Sequence, residues 1–155
     1  MAETNQQSFR ITLAPYLCVH DAAGALEFYK KAFGAMETMR LAGPDGRIGH
    51  AEIRIGDVIV MLADEFPEIG VVSPRTLGGT PVTLTMDVQD ADATVHQAIS
   101  AGATELRPLK DQFYGRRSGK IQDPFGHRWD IGMIIEDVSP EEIQRRAAAA
   151  FGGKK

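Results

Sequence analysis

Apolar and polar residues alternate, then recur at helical spacing, then alternate again, and the chain runs through this series twice. Residues 11–19 read as a strand, with Pro15 marking an edge position or a bulge because proline donates no ladder hydrogen bond. Asp21 caps a predicted helix over 22–33, where Ala22, Leu26, Tyr29 and Phe33 fall on one face, and Gly34 stops it. Strands are predicted at 36–41, 49–55 and 58–62, parted by the turn compositions Gly43-Pro44-Asp45-Gly46 and Gly56-Asp57. The second pass has a strand at 82–88 and an Asp90-capped helix whose apolar stripe is Ala91, Val95, Ala98 and Ile99. Gly102 ends that helix, and strands are predicted at 104–108, 118–122 and 128–134.

Val19, Asp21 and Gly34-Ala35 thus reappear as Val88, Asp90 and Gly102-Ala103, about seventy residues on. A long period used only twice indicates a duplicated half-domain rather than a solenoid. The fold class expected is α+β, two tandem βαβββ modules. Residues 11–64 form module one, 65–80 a Pro- and Gly-bearing connector, and 81–135 module two, all within a single domain at 11–135. Residues 1–10 read as a polar tail and 136–155 as a C-terminal helical extension. Ser139-Pro140-Glu141-Glu142 places serine at the cap, proline at the first helical position and glutamate at the third. With Ile143 and Phe151 as its main apolar anchors, this helix is expected to pack as an appendage on the body or on a second subunit.

At 155 residues the chain can bury a real core, and its net charge of −4 gives no basic footprint for nucleic acid. The apolar run 58–63 is far short of the roughly twenty residues that cross a bilayer. Residues 1–8 lack the basic and apolar regions of a signal peptide, so a cytoplasmic location is expected. Cys18 is the single cysteine, which excludes an internal disulfide and a cysteine zinc cluster, and it reads as a small buried apolar residue.

Several stretches carry a family resemblance: Pro15-Tyr16-Leu17, Phe28-Tyr29, Phe33-Gly34-Ala35, and His50-Ala51-Glu52 leading to Gly56-Asp57. More specific are 111–117, Asp-Gln-Phe-Tyr-Gly-Arg-Arg, and 123–129, Asp-Pro-Phe-Gly-His-Arg-Trp. Over 11–135 the chain resembles the vicinal oxygen chelate superfamily, which holds glyoxalase I, bleomycin-binding proteins, fosfomycin-resistance enzymes and extradiol dioxygenases; within it the chain is most similar to the PhnB-like group. The resemblance implies a glyoxalase-like fold, with strands curled into an open cup-shaped mixed sheet, and assembly as a homodimer.

Members that do chemistry usually hold a divalent metal on the first and last strands of each module. Strand-to-strand matching places Ala14, about Val60, Thr83 and Asp130 there, and of these Asp130 alone is a good ligand. No metal cofactor is therefore favoured. His50 and Glu52 weigh the other way: two apart on a strand, they share a face, as an acid and its base or two ligands must. They are the candidate catalytic residues, and with Asp130 they are the candidates for a non-standard metal site. Arg54 shares their face and offers Glu52 an ion pair instead. Tyr114 and Arg117 are expected to border the cavity and orient an anionic or polar ligand, against the alternative of a surface hairpin. The segment 123–127 reads as a turn, and His20 and His96 as solvent-facing.

The leading expectation is a protein that binds a small organic ligand in the cup without the usual metal centre, through His50, Glu52, Tyr114, Arg117 and Asp130. The alternative is a divalent-metal-dependent lyase, isomerase or transferase of the glyoxalase type. A third reading makes the dimer surface or the C-terminal helix the functional element.

Overall fold

A computed structural model describes residues 10–152. The expected polar tail lies outside them save for Arg10, as do the last three residues of the C-terminal extension. Module one runs β1 (Tyr16–Val19), α1 (Ala22–Phe33), β2 (Met36–Ala42), β3 (Ile48–Ile55) and β4 (Val58–Asp64). A 3₁₀ turn (Pro67–Ile69) and α2 (Pro74–Leu77) occupy the connector. Module two repeats the series as β5 (Thr83–Asp87), α3 (Ala91–Ala101), β6 (Thr104–Asp111), β7 (Arg116–Gln122) and β8 (Arg128–Ile134), and α4 (Pro140–Phe151) follows.

Each module forms a four-stranded mixed sheet, in the orders β1-β4-β3-β2 and β5-β8-β7-β6. In both, the first strand runs parallel to the last, which is antiparallel to its other neighbour. The expected two-module α+β fold is therefore present. Helix starts follow from chemistry: the Asp21 and Asp90 carboxylates accept from the backbone N–H groups of Gly24 and Ala93. Gly34 ends α1 at φ 65°, a left-handed conformation that a residue without Cβ adopts at little cost.

The helices join the modules. α1 packs against α3, and Leu26, Tyr29, Val95, Ala98, Trp129 and Ile131 share one buried cluster. Leu26, Ile53, Leu62, Ile121 and Ile131 are fully buried, each contributing about 1.5–3 kcal/mol of apolar transfer. At the seam, the Asp123 carboxylate lies 2% exposed and accepts from the Tyr29 hydroxyl of module one at 2.6 Å and the Trp129 indole N–H at 2.9 Å. Its other oxygen accepts from the backbone N–H groups of Phe125 and His127. The 123–127 turn is thus also the bolt between modules. Burial, then the neighbouring Asp123 charge, pushes the Tyr29 phenol well above its ordinary range, so it stays a donor.

Several boundaries differ from expectation. The first strand begins at Tyr16, not at residue 11: Pro15 lends its carbonyl to Met61 N–H but has no N–H to return. β6 runs through Pro108 to Asp111, tolerated because β6 is an edge strand with register shifts on both sides of Arg107. Ile99 is 39% exposed, so the stripe of α3 is narrower than its sequence suggests. His20 is not solvent-facing: it is half-buried and lies against Phe125, with 5.3 Å between ring centres. Phe151 is 78% exposed and meets Phe113 ring to ring, while Arg146 fastens α4 to the Phe113 carbonyl and Glu136. No residue of α4 is buried. None of the helices in the described residues is long and apolar enough to cross a membrane.

Candidate functional site

Each sheet covers the helices with one face and leaves the other free. In β3, Ile48, Ala51 and Ile53 are buried toward the helices. Going from Ile48 to Ala51 spans three residues, and a register shift beside Gly49 absorbs the change of parity. His50, Glu52 and Arg54 therefore stand on the free face. β1 adds Tyr16 and Cys18, β4 adds Ile59, Met61 and Ala63, and β2 adds Met39 opposite Glu52 and Leu41 opposite His50.

On this apolar floor three polar side chains form a chain. The Tyr16 hydroxyl lies 2.8 Å from His50 Nδ1, and His50 Nε2 lies 3.0 Å from Glu52 Oε1. One proton arrangement satisfies both contacts: the phenol donates to Nδ1, and Nε2–H donates to the carboxylate. Burial first, then the Cys18 and Glu52 charges, raises the Tyr16 phenol and keeps it a donor. Glu52 is thus engaged by His50 rather than Arg54. Burial, then Glu65 and Asp64, pushes the half-buried Cys18 thiol up to about 11.

The free face of the second sheet is largely polar, with Ile134 exposed at its end. Trp129 and Ile131 are buried toward the helices, so Arg128, Asp130 and Gly132 face outward, with Thr85 and Lys120 flanking Asp130 in register. The Arg116 guanidinium binds Asp130 and Asp87 and reaches the Met86 carbonyl at 3.2 Å. It fits because Gly132 has no side chain: a Cβ there would stand 2.5 Å from Arg116 Cζ. Arg107 reaches the other Asp130 oxygen at 3.4 Å and Ser118 at 3.0 Å, and its Nε is buried without a partner.

Of the residues singled out in the sequence, His50 and Glu52 meet on the first sheet and Asp130 lies on the second. Tyr114 sits at the tip of the β6–β7 hairpin against Phe113. Arg117 points to the helix side, where Asp92 and Asp111 hold it at 2.8 and 3.0 Å. Its neighbour Arg116 occupies the free face instead. Tyr16, Arg107, Arg116 and Lys120 are site residues that the sequence reading passed over.

The metal positions also need correction. Ala14 precedes β1, and Val60 is 3% exposed in the core facing the helices. The outward positions of the end strands are Tyr16 with Met61, and Thr85 with Asp130. Asp130 has both oxygens engaged by arginines, and among the described residues no three His, Cys, Asp or Glu side chains converge. This donor set does not fit a divalent ion. A cleft of about 670 Å³ lies elsewhere, between the β3–β4 turn, β5 and α3, and contains none of the Tyr16–His50–Glu52 chain.

The sequence profile of the Glyoxalase/Bleomycin resistance protein/Dioxygenase superfamily matches residues 10–131. The chain belongs to this superfamily. Solved structures share the fold: TioX from Micromonospora sp. ML1 superposes with a TM-score of 0.61 at 24% identity, covering 83% of this chain and all of that one. A genomically encoded fosfomycin resistance protein from Listeria monocytogenes gives 0.62 at 15% identity, covering 87% and 98%. An uncharacterised protein of Mycobacterium tuberculosis (strain ATCC 25618 / H37Rv) is 47% identical over 144 residues, 91% of this chain and 85% of its own length.

Proposed function

We propose that this superfamily member binds a small organic anion on the free faces of its sheets, without the divalent metal centre common among its relatives. The observation that carries the reading is the pairing of Asp130 with Arg116 and Arg107, which occupies the best ligand among the metal positions and surrounds it with cationic donors. Lys120 adds positive charge to the same face, while Met39, Leu41, Ile59 and Met61 give the free face of the first sheet its apolar surface. An apolar surface and a cationic one, brought together by a second copy, would suit a compact organic molecule bearing a carboxylate or phosphoryl group.

We place the protein in the PhnB-like group on the motifs at 111–117 and 123–129, and in the cytoplasm as a homodimer. Exposed Tyr16 (54%) and Leu41 (58%) on the first sheet support a second copy covering that face. The Tyr16–His50–Glu52 chain favours a second reading, an enzyme of the glyoxalase kind. There His50, oriented by Glu52, would exchange a proton with the ligand through the exposed Tyr16 hydroxyl. The metal-dependent form of that reading needs donors this face does not bring together.

Thermal stabilisation by a panel of aromatic carboxylates and organophosphates, measured with chelator present, tests the binding role. The expected result is stabilisation by at least one compound class, weakened about tenfold in affinity by Lys120→Ala or Tyr16→Phe. Stabilisation that appears only on adding a divalent ion would overturn it in favour of the metal-dependent alternative.

A further inference from the structure

A second site lies where the connector meets module two. His20 after β1, Arg75 in α2, and Gln122 and Arg128 at the adjoining ends of β7 and β8 line a cleft of about 350 Å³ walled by Phe125. No carboxylate lines it, whereas three other clefts, beside α3, beside the β2–β3 turn and beside Asp21, each carry at least one aspartate. Arg107, Arg116 and Arg117 hold carboxylates, but Arg75 and Arg128 have no acidic partner among the described residues. His20 Nδ1 is buried without a hydrogen-bond partner. Glu65, the nearby acid, is engaged elsewhere, its carboxylate taking a bond from Ser73 N–H at 2.6 Å.

We infer that this cleft is an oxyanion-binding site, separate from the Tyr16–His50–Glu52 face, that takes a phosphoryl or carboxylate group of a small molecule. Arg75 and Arg128 supply planar donors and Gln122 a neutral one, with His20 as part of the wall. Close packing fixes the geometry: a Cβ on Gly126 would stand 2.8 Å from Pro74 Cβ, so the turn and α2 are pressed together. Arg128 shares a sheet face with Asp130 but borders the connector, and none of the residues holding Asp130 lines the cleft.

The test is an NMR titration of the full-length protein with inorganic phosphate, and in parallel with acetate, at constant ionic strength. Saturable shifts at residues 20, 75, 122 and 128 are expected. Arg75→Ala and Arg128→Ala, both exposed positions, should each weaken the response about tenfold with unchanged melting temperature. Arg54→Ala, which removes an arginine from the other sheet, should leave it intact. Saturation by phosphate alone assigns a phosphoryl group, and saturation by acetate a carboxylate. Non-saturating shifts, or saturation that survives both arginine substitutions, would overturn the site.

Discussion

Asp123 shows how much one side chain decides. Its carboxylate takes four donors in a nearly dry position and so links the helix of one module to the last strand of the other. Asp123→Ala leaves the Tyr29 hydroxyl, the Trp129 indole and two backbone N–H groups without acceptors, and is expected to cost about 3–5 kcal/mol. Tyr29→Phe removes one charge-assisted bond and is expected to cost about 1.5–3 kcal/mol. Urea denaturation midpoints check both. Glu65 supplies a pH signature. Bonds from the Ser73 side chain, then Thr76 and the Ser73 backbone, lower its carboxyl to about 2 from an ordinary 4.5. Its contribution is thus complete above the unfolded value and fades as pH falls from about 4.5 toward 2. Glu65→Gln should flatten the stability–pH curve across that window, as followed by acid titration of the folded signal.

At the scale of elements, the strands set which residues can act. Gly132→Ala places a methyl group where the Arg116 guanidinium lies. The fold should survive at a cost of about 1–2 kcal/mol, because the crowded atoms are the end of a flexible side chain. Ligand-induced stabilisation should fall as far as it does for Lys120→Ala. The arginine pair explains what sequence alone could and could not tell. Helix caps, turns and the duplicated order were legible because Asp21, Asp90, Gly34 and the polar turns act locally. With β7 expected from residue 118, both arginines fell in a loop, and Arg117 was given to the cavity with no alternation to choose between the two. Once the strand begins at Arg116, alternation gives Arg116, Ser118 and Lys120 to the free face and Arg117 to α3. The same parity error put Val60 among the metal positions instead of Met61. Tyr16 was hidden for another reason: its partner His50 is distant in sequence, and only the β1–β4–β3 order brings them together.

For the whole molecule, duplication has produced two dissimilar halves of one fold. One sheet offers an apolar face crossed by a tyrosine–histidine–glutamate chain, and the other a cationic face built around Asp130. The shared core of α1, α3 and the Asp123 bolt fixes the two sheets to each other, so both surfaces are held by a rigid interior rather than by loops. A carboxylate engaged by two guanidinium groups is withdrawn from coordination, which ties the metal-free reading we propose to the arginines around Asp130. Elemental analysis by plasma mass spectrometry, on protein purified without chelators, tests this most directly. Transition-metal content far below one ion per chain is predicted, unchanged by Asp130→Ala. Near-stoichiometric metal that disappears on His50→Ala or Asp130→Ala would contradict it.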